Sequence, residues 1–158
     1  MSFPTDLEIA ESANILPIKK IAEKLSLKNL QILSPKKDTL KKITTFVPAK
    51  HLEVLADAMH KAGAGQIGDY KDCSFRIPGT GTFIPSEGTE PFSGKVNEKS
   101  FEAETRIEMI FPFYLEEKII SAIKSVHPYQ EVAYYIQSLD NVNQEVGAGM
   151  VGELESEM

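Results

Sequence analysis

Tryptophan is absent from this chain, cysteine occurs once and histidine three times in 158 residues. The lone cysteine, Cys73, excludes an internal disulfide framework and suits a reducing compartment. No apolar run reaches the roughly 18 residues that a membrane-spanning helix requires. The N-terminus shows neither the basic region nor the long apolar core of a secretory signal. An excess of positive charge is missing too. Lys and Arg total 17 against 23 Asp and Glu, a net charge of −6. Phosphate binding wants a basic face, so nucleic acid is a poor fit as the main partner. The one basic cluster, Lys36-Lys37-Asp38-Thr39-Leu40-Lys41-Lys42, reads as a solvated linker and strand entry. The expectation is a cytoplasmic protein with no membrane and no nucleic-acid partner.

Glycine, by contrast, is concentrated. Seven of the ten fall between Gly63 and Gly94. A flexible linker of that richness would be poor in apolar residues. This stretch carries Ile67, Tyr70, Phe75, Ile77, Phe83, Ile84 and Phe92. It therefore reads as an ordered strand-and-loop segment that closes over something or packs on a partner. Short strands are expected at Cys73 to Ile77 and at Thr82 to Ile84, with Gly79 and Gly81 in a loop between them.

On either side the periodicities are clear. Ile43 to Val47 is a β-branched and aromatic strand stopped by Pro48. Leu52, Leu55, Met59 and Ala62 mark one face of a helix that Gly63 or Gly65 caps. Phe101, Ala103, Ile107, Met109 and Phe111 alternate with Glu102, Glu104, Arg106 and Glu108, the pattern of a half-buried strand. Tyr114 to Val126 is a second amphipathic helix, and Val132 to Leu139 a last strand. The leader offers a helix from Asp6 to about Asn14, another from Pro17 to about Leu25, and a short strand at Leu30 to Leu33. The tail from Asp140 shows no core strength.

Strand, helix, strand, strand, helix, strand is the split βαβ order of an α+β, ferredoxin-like sandwich with a glycine-rich insertion. The division is a leader over 1–40, a ferredoxin-like domain over 41–139 and a tail over 140–158. Two helices cover one sheet face. The other carries Glu104, Arg106 and Glu108, so it is solvated, covered by a partner subunit or used for binding. Arg106 has the fork geometry for an anionic or amphoteric ligand. Backbone N–H groups at Gly63, Gly65, Gly68, Gly79 and Gly81, beside Cys73, complete the candidate ligand site. Gly63-Ala-Gly65-Gln-Ile-Gly68 matches GxGxxG, but it follows a helix instead of opening one, which excludes a dinucleotide-binding turn. His51, His127 and Glu131 are candidate ligands for a divalent metal, with Cys73 as a thiolate that converges on them at one end of the sheet. No short-spaced ligand pair supports that set.

Phe46-Val-Pro-Ala-Lys-His51, Ala62 to Tyr70, Gly79-Thr-Gly-Thr-Phe83, Glu104-Thr-Arg-Ile-Glu108 and His127-Pro-Tyr-Gln-Glu131 occur in an order that resembles the NGG-one-interacting-factor-three-like family, the GTP cyclohydrolase I type 2 homologs. The resemblance covers about residues 20 to 154. It falls mainly on the PII-like domain that full-length members carry between two metal-binding halves. The family's metal ligands lie in those halves and have no match here, so no catalytic residue is carried over. The His127 run also resembles a motif of CutA-like trimers, with Gln130 where glutamate is usual. The resemblance implies a non-catalytic PII-like regulatory or ligand-binding module that forms homo-oligomers, a trimer by expectation, and takes a small molecule or partner protein. The alternatives it implies are a metal-dependent hydrolase of the GTP cyclohydrolase I type 2 homolog kind and a CutA-like metal-binding protein.

Overall fold

The β-branched run Ile43-Thr-Thr-Phe-Val47 lies in an inner strand of a four-stranded antiparallel sheet. In the computed structural model this strand, β2, spans Leu40–Pro48. It pairs on one side with β4 (Ser100–Pro112) and on the other with β5 (Tyr134–Leu139). Beyond β4 lies β3 (Phe75–Phe83), giving the order β3-β4-β2-β5. Helix α2 (Leu52–Ala62) joins β2 to β3, and α3 (Glu116–Val126) joins β4 to β5. This is the split βαβ arrangement that the alternation of periods predicts.

The structure describes residues 18–143 and 146–154. They fall into two compact units, 36–143 and the pair 18–35 with 146–154. The expected helix from Asp6 to Asn14 lies outside the described residues.

In the larger unit the inward side chains of β2 and β4 meet the apolar stripes of both helices. Ile43, Val47, Leu55, Met59, Ile107, Phe111, Ile119 and Ile123 are all at most 1% exposed. Alternation along β4 is what puts Ile107, Met109 and Phe111 there. Phe101 keeps the same parity, yet it is 66% exposed near the strand's start.

One local expectation is corrected. Gly79 and Gly81 do not sit in a loop: β3 runs unbroken through Pro78-Gly-Thr-Gly81. The strand is an edge strand, where a proline without an N–H and side-chain-free residues are tolerated. The tail carries a strand. Strand β6 (Gly149–Leu154) pairs antiparallel with β1 (Leu27–Leu33), from Leu27 opposite Leu154 to Leu33 opposite Gly149. The short helix α1 (Ile18–Lys24) packs on both strands and buries Ala22. A two-stranded sheet is marginal alone. Here Ile18, Ile21, Leu25, Val151 and Leu154 all remain exposed.

Candidate functional site

Because strand residues alternate, the parity that buries Ile107 and Met109 sends Glu104, Arg106 and Glu108 to the helix-free face of the sheet. The register places Ile77 opposite Arg106 and Gly79 opposite Glu104. Phe75, Ile77, Gly79, Gly81 and Phe83 therefore share that face on β3. From β2 comes Phe46, opposite Arg106, and from β5 Tyr135, whose ring meets Phe46 edge-on at 5.6 Å.

A cavity of about 620 Å3 opens on this face, within the roughly 300–1,000 Å3 usual for small-molecule sites. Phe46, Ile77, Gly79, Gly81, Glu104, Arg106 and Tyr135 form its floor. Its walls are Pro85, Thr89, Pro91 and Phe92 of the loop after β3, and Tyr129, Gln130 and Glu131 of the turn after α3. Phe92 lies 5.7 Å from Tyr129, and Phe83 lies 6.4 Å from it, so three rings line one side. The Glu90 N–H donates to Gln130 Oε1 at 3.4 Å and joins the two walls.

The charges on the floor are each engaged away from one another. Tyr129 donates its hydroxyl hydrogen to Glu104 Oε1 at 2.6 Å. Burial first, then that bond and the charges of Glu104 and Glu102, push the Tyr129 hydroxyl above the ordinary tyrosine pKa. Arg106 instead forms a close ion pair with Glu108, which Lys42 also reaches at 3.4 Å. Burial works against the Glu108 carboxylate. The Arg106 and Lys42 side chains beside it outweigh that and hold its pKa below the ordinary value.

His127 anchors the turn. Its Nε2 lies 2.8 Å from the Phe46 carbonyl, and its Nδ1 accepts from the Tyr129 N–H at 3.1 Å. Those partners select the neutral tautomer with hydrogen on Nε2. Burial lowers its pKa. The Phe46 carbonyl and the Glu104 charge oppose that, and His51 adds to it.

The structure brings only part of the expected set together. Gly79, Gly81, Glu104 and Arg106 line the cavity, and so does Glu131. Cys73 and Glu108 do not: they line a separate pocket of about 250 Å3 with Lys42 and Phe75. Neither His51 nor His127 lines either pocket. Gly63 and Gly65 serve as joints. Gly63 ends α2 at φ 107°, and the Gly65 N–H donates to the Ile110 carbonyl at 2.8 Å. Gly68 sits in a tight turn bridged by Ile67 and Tyr70. Both ring nitrogens of His127 are already hydrogen-bonded, and His51 packs edge-on against Phe92 at 5.6 Å. Among the described residues no three His, Cys, Asp or Glu side chains are grouped as a metal ion requires. Tyr129, Phe46 and Tyr135 were not expected as site residues. The signal for Tyr129 was its place two residues after His127, in the turn.

Comparison with known proteins follows the same fold. A "GTP cyclohydrolase 1 type 2 homolog" of Bacillus subtilis (strain 168) is 40% identical over 156 residues, 98% of this chain and 41% of that protein. Over that span the chain is similar to the GTP cyclohydrolase 1 type 2 homologs. It spans about two-fifths of the length of the curated relatives it matches. A crystal structure of a Bacillus cereus protein related to NIF3 superposes with a TM-score of 0.71 at 41% identity, over 89% of this chain and 37% of that one. CutA from Synechococcus elongatus superposes at 0.50 with 14% identity, over 74% of this chain and 87% of that one, a likeness of fold. No family model matches the chain. Among the described residues no helix is long and apolar enough to cross a membrane.

Proposed function

We propose that the unit of residues 36–143 is a non-catalytic PII-like module that binds a small ligand on its helix-free sheet face and assembles into homo-oligomers, a trimer by expectation. The observation that carries this reading is the cavity itself: aromatic walls around a floor that holds both a carboxylate, Glu104, and a guanidinium, Arg106. Sites of that make-up, mostly apolar with few convergent polar groups, are the usual form of a small-molecule pocket. Assembly is supported by the apolar surface left uncovered on the same face in a single copy. On the edge strands of that face Phe75 is 63% exposed, Ile77 41% and Tyr135 59%, and exposed apolar patches mark interaction sites.

A metal-dependent hydrolase of the kind the relatives' name denotes is the alternative. It is favoured by the 40% identity, and it requires ligands supplied by other segments or chains. A CutA-like metal-binding protein would instead use His51, His127 and Glu131.

Native mass spectrometry of protein purified without added metal or chelator separates these readings. The module reading expects a trimer that carries a small organic mass. One metal ion per subunit would favour the metal-binding reading, and a bare monomer would overturn the module reading.

A further inference from the structure

Glu104 and Arg106 stand two residues apart on one strand face, about 7 Å along β4. Opposite charges so placed can meet, yet here they lean apart. The Glu104 carboxylate lies over Gly81, where an added Cβ would clash with it, and Tyr129 holds it there. The Arg106 guanidinium turns to Glu108. Between the two charges β3 presents Gly79, where an added Cβ would meet no atom within 4 Å. The floor is thus bare backbone at Gly79, with the Glu104 acceptor at one edge and, past the Ile77 side chain opposite Arg106, a cation at the other.

We infer that this patch takes a flat aromatic molecule with an N–H donor at one edge and an anionic group at the other. The proposal rests on the ligand-binding reading above and narrows it to a chemical class. The ring lies on the backbone at Gly79, which has no side chain to hold it off. Phe46 stands on one side, Phe83 and Tyr129 on the other, and rings pack well against rings. Glu104 Oε1 is taken by Tyr129, and Oε2 accepts the ligand's N–H. Arg106 gives one N–H group to Glu108 and has further donors for the anion. A ligand with an anion alone would cover Glu104 Oε2 without giving it a donor. A ligand with a donor alone would cover the Arg106 N–H groups that Glu108 does not take. Either arrangement is costly.

The test is calorimetric titration of the full chain with three probes. Indole-3-acetate has ring, N–H and carboxylate. Naphthalene-1-acetate lacks the N–H, and 3-methylindole lacks the carboxylate. The expected result is that indole-3-acetate binds at least tenfold more tightly than either of the others. Arg106→Ala removes its advantage over 3-methylindole, and Glu104→Ala removes its advantage over naphthalene-1-acetate. Equal affinity for all three probes in the wild-type chain overturns the ligand class and leaves the binding reading standing. Failure of every probe to bind overturns both. Selectivity that survives both substitutions overturns the roles given to Glu104 and Arg106.

Discussion

The Tyr129 hydroxyl donates to Glu104 Oε1 at 2.6 Å, and this bond ties the turn after α3 to a strand in the middle of the sheet. It fixes the carboxylate that edges the cavity floor. It also makes Tyr129 hard to ionise, since burial and the carboxylate both disfavour a phenolate.

The raised Tyr129 pKa has a definite pH signature. A group whose pKa is higher in the folded state adds stability that is complete below its unfolded pKa, about 10 for tyrosine. That stability is lost as pH climbs toward the folded value. Ultraviolet titration of the five tyrosines should find one that resists ionisation, and Tyr129→Phe should remove it. The variant should also lose part of the wild-type decline in stability above pH ~10.

His127 works in the other direction. Its pKa is lowered mainly by burial, so it contributes stability present above the unfolded value of about 6.5 and lost as pH falls through the folded one. Denaturant unfolding between pH 7 and pH 5 should show that loss, and His127→Gln should flatten it. Nitrogen NMR of the ring should find the hydrogen on Nε2 at neutral pH.

Ile107 is fully buried in β4, a strand paired on both sides. Ile107→Ala should cost roughly 2–5 kcal/mol in urea unfolding, the range for a truncated aliphatic core residue. A value under 1 kcal/mol would mean that the two helices do not close over β4 as described.

Gly65 has φ 82°, and a Cβ there would sit 2.6 Å from the Cys73 carbonyl oxygen. Gly65→Ala should destabilise the protein by about 1–3 kcal/mol, the cost of a strained left-handed residue, and by more if the clash is not relieved. Thermal unfolding would measure it.

Much of the larger unit was legible because its signals are local. The alternation from Phe101 to Phe111 and the stripes of Leu52 to Ala62 and Tyr114 to Val126 each define an element and its buried face. The breaks in legibility were non-local. Pro78-Gly-Thr-Gly81 has the chemistry of a turn, and only pairing with β4 makes it a strand. Gly149–Leu154 is short and has two glycines, and its partner β1 lies more than a hundred residues away. The same holds for the site. Glu104 and Arg106 follow from strand parity, and Gly79 and Gly81 from composition. The distinction between those two glycines and the joints at Gly63 and Gly65 needs the register. Tyr129 becomes a site residue through non-local contacts, with Phe83, Phe92 and Glu104, the last 25 positions away.

The most direct test of the central claim is Gly79→Val, read by thermal unfolding and by titration with indole-3-acetate. Valine favours strands, and its Cβ enters open space, so the fold should stay as stable as the wild type or become more so. The side chain would stand on the cavity floor beside Glu104, where the ring is placed. The account predicts unchanged or raised stability with at least a tenfold loss of probe affinity. Unchanged affinity in a folded Gly79→Val protein would contradict it, because the ligand would then lie elsewhere than over Gly79.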